Sequence, residues 1–150
     1  MTVIFGPKGA LLTRRGWTKP DGKPRAFGGC WECGAGGKIE EGETAEMAAR
    51  AELWEELGLA DVELRPLAAW AGEGGIVYFL FVGIARDEPQ RLDGQLDTAW
   101  AEVRQVPLAS VRKRPLVPSF ERVVDELRKA NVTTCTEARR FVAESQPSVE

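Results

Sequence analysis

Three glutamates, Glu52, Glu55 and Glu56, stand at i, i+3 and i+4 near the end of a helix-forming stretch that opens on the pair Gly36-Gly37. A helix turns about 100° per residue, so the three carboxylates fall within roughly one quadrant of its surface. Carboxylates gathered in this way repel one another unless a cation sits among them. Hard oxygen donors suit Mg²⁺ or Mn²⁺. Whatever the fold, it must present this helix with its acidic quadrant able to take such an ion.

The helix has readable ends. Thr44 fits the N-cap, Glu46 suits the positive pole of the first turn, and Gly58 fits the left-handed position that closes a helix. On a wheel with Glu52 at 0°, Glu56 falls near about 40° and Glu55 near about −60°. Met47, Leu53, Trp54 and Leu57 form the predicted buried stripe on the other side. Ala45, Ala48 and Ala49 flank the carboxylates, which predicts a sterically open acidic face. A solvated helix would intersperse Lys or Arg with these acids, and the quadrant has none.

The remaining composition narrows the class. A length of 150 residues fits one domain spanning 1–150 with a sizeable core, and 43% hydrophobic with 29% charged residues is ordinary for a globular protein. A net charge of −3 does not favour a nucleic-acid partner. Residues 1–40 hold seven Lys/Arg against three acids, whereas 41–65 hold eight acids against two Arg. That asymmetry suits an anionic substrate held through a metal; a mixed solvated surface is the plain alternative. No apolar run approaches the ~20 residues of a membrane span, and MTVIFGPKG lacks the apolar stretch of a signal peptide. Three cysteines make no disulfide framework, so the expected location is the cytoplasm. Cys30 and Cys33 form a CxxC. With no histidine and only Cys135 left over, the chain is short of zinc ligands, and the pair lies in a strand rather than at a helix start. It reads as packing.

In order, 2–15 predicts a hairpin broken at Gly6-Pro7-Lys8-Gly9. Residues 17–29 form a loop punctuated by Pro20, Gly22, Pro24, Gly28 and Gly29. Lys19, Lys23 and Arg25 in this loop could close over a phosphate-bearing ligand, against the plain reading of a surface insertion. Trp31–Cys33, Val62–Ala71, Ile76–Ala85 and Trp100–Val106 predict strands. The apolar run IVYFLFVGI predicts a central strand covered on both faces. Pro118–Ala130 and Cys135–Glu144 predict helices. Trp17 and Trp70 could stack on a base, though core or rim packing is the simpler reading of each.

The central stretch resembles the signature box of the Nudix hydrolases. That pattern is glycine, five residues, glutamate, seven residues, then Arg-Glu-aliphatic-any-Glu-Glu-any-Gly-aliphatic. Here Gly37, Glu43, Glu52, Leu53, Glu55, Glu56, Gly58 and Leu59 all fall in place over 23 positions. Ala51 stands where the pattern has arginine. The order of strands outside the box is also similar to the family's.

The resemblance implies an α/β protein, an α/β/α sandwich around a mixed β-sheet. It implies hydrolysis of a nucleoside diphosphate linked to another group, or of a nucleoside triphosphate. Glu52, Glu55 and Glu56 would hold Mg²⁺ or Mn²⁺, with the carbonyl of Gly36 or Gly37 as a further ligand. One of the glutamates, or a metal-bound water that it orients, would start the attack on phosphorus. Lys38, Arg14 and Arg25 are candidates for phosphate contacts. A further carboxylate often completes such sites; Asp93, Asp97 and Glu102 are candidates, each first read as a solvated acid. The missing arginine looks like a brace for the glutamates. Arg50 falls near about 160° on the wheel, so the replacements considered from outside the helix are Arg14 and Arg104. Competing readings are a non-catalytic nucleotide-binding module on the same fold, motivated by Ala51, and an isopentenyl-diphosphate isomerase. The isomerase is disfavoured because the chain lacks histidine and has Gly36 rather than cysteine in the metal turn. Similar family members are often homodimers.

Overall fold

Strand alternation on the first hairpin divides the molecule into layers. The computed structural model describes residues 1–89 and 100–144, without the side chains of 100 and 101. β1 (Thr2–Gly6) and β2 (Gly9–Arg15) pair antiparallel at their turn. Val3, Phe5 and Leu12 point to one side, while Ile4 and Leu11 point to the other. Further along, β2 pairs antiparallel with β3 (Trp31–Cys33) and with β6 (Trp100–Val106). β1 pairs parallel with β5 (Val77–Ala85), which pairs antiparallel with β4 (Val62–Ala71). The strand path is β3-β2-β1-β5-β4, with β6 joined to β2, so the sheet is mixed. β4 lies at an edge, where Pro66 tolerates its missing donor beside an irregular register step.

Each face of the sheet takes its own helices. α2 (Pro118–Lys129) and α3 (Cys135–Ala143) cover the Val3–Phe5–Leu12 side with Phe120, Val123, Val124, Leu127, Ala138 and Val142. α1 (Ala45–Leu57) covers the Ile4–Leu11 side with Leu53 and Leu57, joined by Leu59 and Val62. Each fully buried leucine of this kind stabilises the fold by roughly 1.5–3 kcal/mol. The result is the α/β/α sandwich expected from the sequence. Among the described residues no helix is long and apolar enough to cross a membrane.

Two expectations need correction. The strand predicted from Ile76 begins at Val77, and its first residues are not covered: Val77 and Phe79 are exposed, and burial on both faces starts at Leu80. On α1 the predicted stripe is half right. Leu53 and Leu57 are buried, but Met47 and Trp54 are 54% and 50% exposed, and Ala48 and Ala49 are buried in their place. The helix rests on its small residues, which let it sit close to the sheet. Within its acidic quadrant Glu52 and Glu56 are half-buried, whereas Glu55 is exposed.

Cys30, Cys33 and Cys135 are free thiols. Cys33 packs beside Trp31 in the core, and burial pushes its thiol pKa up to about 12, so it is neither a ready nucleophile nor a ready metal ligand.

Candidate active site

The site is built where the turn after β3 meets the inner face of α1. Thr44 caps the helix by accepting from the Met47 N–H at 3.1 Å, and Gly58 closes it at φ 65° with its N–H on Trp54. Before the cap, the backbone N–H of Glu40 donates to Glu43 Oε2 at 3.0 Å, and the N–H of Glu43 donates back to the Glu40 carbonyl at 3.1 Å. Glu43 therefore closes the turn that delivers the helix. At Gly37 an added Cβ would lie 1.7 Å from Glu52 Oε1, so the carboxylate rests directly on the glycine backbone. Close approach to a carboxylate, not positive φ, explains this glycine.

Glu52 and Glu56 are brought together. Their carboxyl groups are hydrogen-bonded, the protonated Glu56 donating to the Glu52 carboxylate, and the Gly36 N–H also donates to Glu56. Burial, then the charge of Glu52, then that of Glu32, push Glu56 up to about 8. Burial and the neighbouring Glu55 also raise Glu52. Glu55 itself is exposed. Among the described residues no three acidic, histidine or cysteine side chains are gathered tightly enough to hold a metal ion, so the expected trio is assembled only as a pair. That pair still fits a divalent cation. Burial first, then the mutual charge, keeps a proton on the pair, and a hard cation would compete for both oxygen ligands.

Glu52 opens onto a cleft of about 600 Å³. Gly36, Gly37, Lys38 and Ile39 form one wall and Ala45, Ala48 and Ala49 another; Ile76–Phe79 and Phe81 close the third. Lys38 and Glu52 line the same cleft. A second cleft of about 560 Å³, at the β1–β2 turn and residues 84–89, carries none of the box glutamates.

The other candidate residues lie elsewhere. Arg14 stands opposite Trp31 and Glu102, on the face that α2 and α3 cover, and its Nε donates to Glu102 Oε2 at 3.2 Å. Arg104 is on the same face, bonded to Glu102 and set over the Trp31 ring. Neither braces the helix glutamates, because the sheet lies between. Glu102 is likewise engaged by these arginines and is not at the carboxylate pair. Arg50 is turned away, as the wheel predicts, bonding Glu46 and the Val62 carbonyl. Arg25 belongs to the 17–29 loop, where its N–H donates to the Trp17 carbonyl. Trp17 is 68% exposed and packs its ring over Gly29. Trp70 stacks on Tyr78 with centroids 5.8 Å apart. Asp93 and Asp97 fall outside the described residues.

One residue of this region is missed by sequence reading. Glu32 faces α1 because Trp31 and Cys33 on either side of it pack into the opposite core layer. It forms an ion pair with Arg15 at 3.1 Å. The alternation of Trp-Glu-Cys was the signal that could have found it.

Comparison with known proteins places the fold. The NUDIX domain family model matches residues 1–125. A mutT/nudix family protein of Listeria innocua is 24% identical, covering 95% of this chain and 93% of that one with a TM-score of 0.65. A Nudix hydrolase of M. smegmatis is 25% identical over 91% of this chain and 86% of its own, with a TM-score of 0.58. The Nudix domain of Shewanella oneidensis NrtR, solved with ADP ribose, is 19% identical over 85% of this chain and 83% of its own, with a TM-score of 0.64. A comparison with curated protein sequences gave no match. The chain belongs to the Nudix family, and it is an enzyme of that hydrolase class.

Proposed function

We propose that this protein hydrolyses the pyrophosphate linkage of a nucleoside diphosphate derivative or a nucleoside triphosphate, with Mg²⁺ or Mn²⁺ held by Glu52 and Glu56 and with Glu55 beside them. The observation that carries the reading is the Glu52–Glu56 carboxylate pair, raised in pKa by burial and by neighbouring carboxylates, with Glu52 lining the cleft. A divalent cation bound there supplies charge neutralisation for the diphosphate and acidifies a water. The chain's own residues do the rest. Gly37 lets Glu52 lie against the backbone, and the Gly36 N–H orients Glu56. Lys38 meets a phosphate oxygen at the cleft wall. The exposed apolar side chains of Ile76, Val77 and Phe79 give a base or other flat group a surface to lie on and keep water from the linkage. The NrtR domain bound to ADP ribose supports a nucleotide derivative as the substrate class. Free thiols accord with a cytoplasmic site of action.

The test is incubation with Mg²⁺ or Mn²⁺ and a panel of dNTPs, oxidised dNTPs, ADP-ribose, nucleotide sugars, dinucleoside polyphosphates and NADH. Release of phosphate or phosphorylated products is scored. Cleavage of at least one compound is expected, with Glu56→Gln reducing turnover by about 10²-fold or more. No cleavage at any metal concentration would sink the reading. It would favour nucleotide binding without turnover, which the absence of a gathered carboxylate trio among the described residues also suits.

A further inference from the structure

Large apolar side chains that the fold leaves in solvent gather at one cleft. Ile39, Ile76, Val77 and Phe79 are between 39% and 55% exposed, and all four line the cleft that Glu52 opens onto. Strand alternation explains this wall. Leu80 and Val82 pack into the α2–α3 layer, so Val77, Phe79 and Phe81 lie on the α1 side of β5. Phe81 is buried there. Val77 and Phe79 stand opposite Ala71 and Ala69 of the edge strand β4, whose small exposed side chains do not cover them. The residues that α1 gives to the cleft are Ala45, Ala48 and Ala49, then Glu52. That row runs about 10 Å along the helix. A ligand whose diphosphate lies at Glu52 and Lys38 therefore has about 10 Å of cleft, walled by methyl groups on the helix side, for its other end.

The two ends of the cleft differ in chemistry. Among the described residues Lys38 and Glu52 are its charged side chains. Ile39 follows Lys38 directly, so the apolar wall is continuous with the charged end. Of the lining residues with a hydroxyl, Thr2 is buried and Tyr78 stacks its ring on Trp70. The wall thus offers apolar area and the ring of Phe79, and among the described residues no amide or guanidinium that could read a base edge. A cleft of about 600 Å³ is of small-molecule size. A stable protein interface takes about 800 Å² from each partner, more than four half-exposed side chains supply. We propose that this wall selects the substrate: a purine base lies flat on Phe79, with Ile39 and Ile76 beside it, and is chosen by its apolar face and not by its hydrogen-bonding edge. Stacking on an aromatic ring accepts any base and rewards the larger one. Apolar pockets discriminate by about 10–200-fold, whereas sites that hydrogen-bond an edge reach about 10⁴-fold or more. Phe79 is on this view a specificity-determining residue, and the inference rests on the reading of Glu52 and Lys38 as the diphosphate end.

The experiment compares wild type, Phe79→Ala and Phe79→Trp, all as the full chain. The substrates share the linkage cleaved best in the panel and differ only in base: adenine, guanine, hypoxanthine, cytosine and uracil. Binding of the α,β-methylene analogue of ADP, whose linkage resists hydrolysis, is measured calorimetrically, and the mass in solution by sedimentation. Wild type should turn over the three purine compounds with kcat/KM within about three-fold of one another, and the pyrimidines about ten-fold less well. In Phe79→Ala the purine KM should rise about ten-fold and the analogue should bind about ten-fold more weakly, with kcat changed less than about two-fold. A merely structural loss would lower kcat as well. Phe79→Trp, which keeps a flat ring, should stay within about three-fold of wild type in both quantities. The inference is overturned if the purines differ among themselves by more than about ten-fold, if Phe79→Ala leaves purine KM and analogue affinity unchanged, or if Phe79→Trp behaves like Phe79→Ala. It is also overturned if wild type is a dimer that Phe79→Ala dissociates, because a second copy then covers the wall. Failure to cleave any compound of the panel sinks the hydrolase reading instead, and analogue binding then decides the inference by the same ten-fold loss in Phe79→Ala.

Discussion

Gly37 and Glu52 share a space in which no side-chain atom is left over at position 37. A methyl group there would meet Glu52 Oε1 at 1.7 Å and Cδ at 2.2 Å. The obstacle is the far end of a flexible side chain, so the carboxylate moves and the fold does not. Gly37→Ala should therefore cost less than about 1 kcal/mol in chemical denaturation. Its turnover should fall about 10²-fold, as displacements of about an ångström do in a positioned site. Loss of stability in proportion to activity would show that Glu52 is not placed by the glycine. Gly37 was legible in the sequence as a position needing room, although the atom that needs the room was not. The same limit governs Arg14 and Arg15. One residue of shift on a strand moves a side chain to the other face. Whether Leu11 or Leu12 faces α1 depends on the two core layers, so the linear pattern does not show that Arg14 lies on the face that α2 and α3 cover.

At the scale of the element, α1 shows why a wheel drawn on size misleads. Met47 and Trp54 are the large apolar side chains, and a helix is expected to bury them. Here Ala48 and Ala49 are buried along with Leu53 and Leu57. Small side chains allow close packing on the sheet, and the same rotation carries Glu52 and Glu56 inward. Caps and ends were legible because they depend on local chemistry, Thr44 accepting from Met47 and Gly58 turning left-handed. The buried face was not legible, because it depends on what lies across from it. The contrast is measurable. Leu57→Ala should destabilise by about 2–5 kcal/mol, the usual cost of emptying a buried leucine site. Trp54→Ala should change stability by less than about 1 kcal/mol despite removing more atoms. Equal losses in denaturant melts would restore the size-based stripe.

The order of strands and helices was legible along most of the chain because each face of the sheet writes its own alternation, and the turns between are marked by glycine and proline. What the linear pattern does not carry is how the layers set the acidity of a group between them. Glu56 lies where β3, its glycine turn and α1 converge, and burial first, then Glu52, lifts its pKa from 4.5 to about 8. An acid raised on folding holds its proton in the native state where the unfolded chain has lost it. The native state is favoured fully by this term below about pH 4.5, and the contribution falls as pH rises, vanishing by about pH 8. Glu52, raised as well, acts in the same direction. With EDTA present, stability measured by urea denaturation should therefore decline between pH 6 and about pH 8. Glu56→Gln should flatten that slope. A divalent cation competes with the same proton, so the stabilisation by saturating Mg²⁺ should be larger at about pH 8.5 than at pH 6, and it should release protons on binding. A metal effect independent of pH, or a slope unchanged by Glu56→Gln, would place the proton and the cation on different groups.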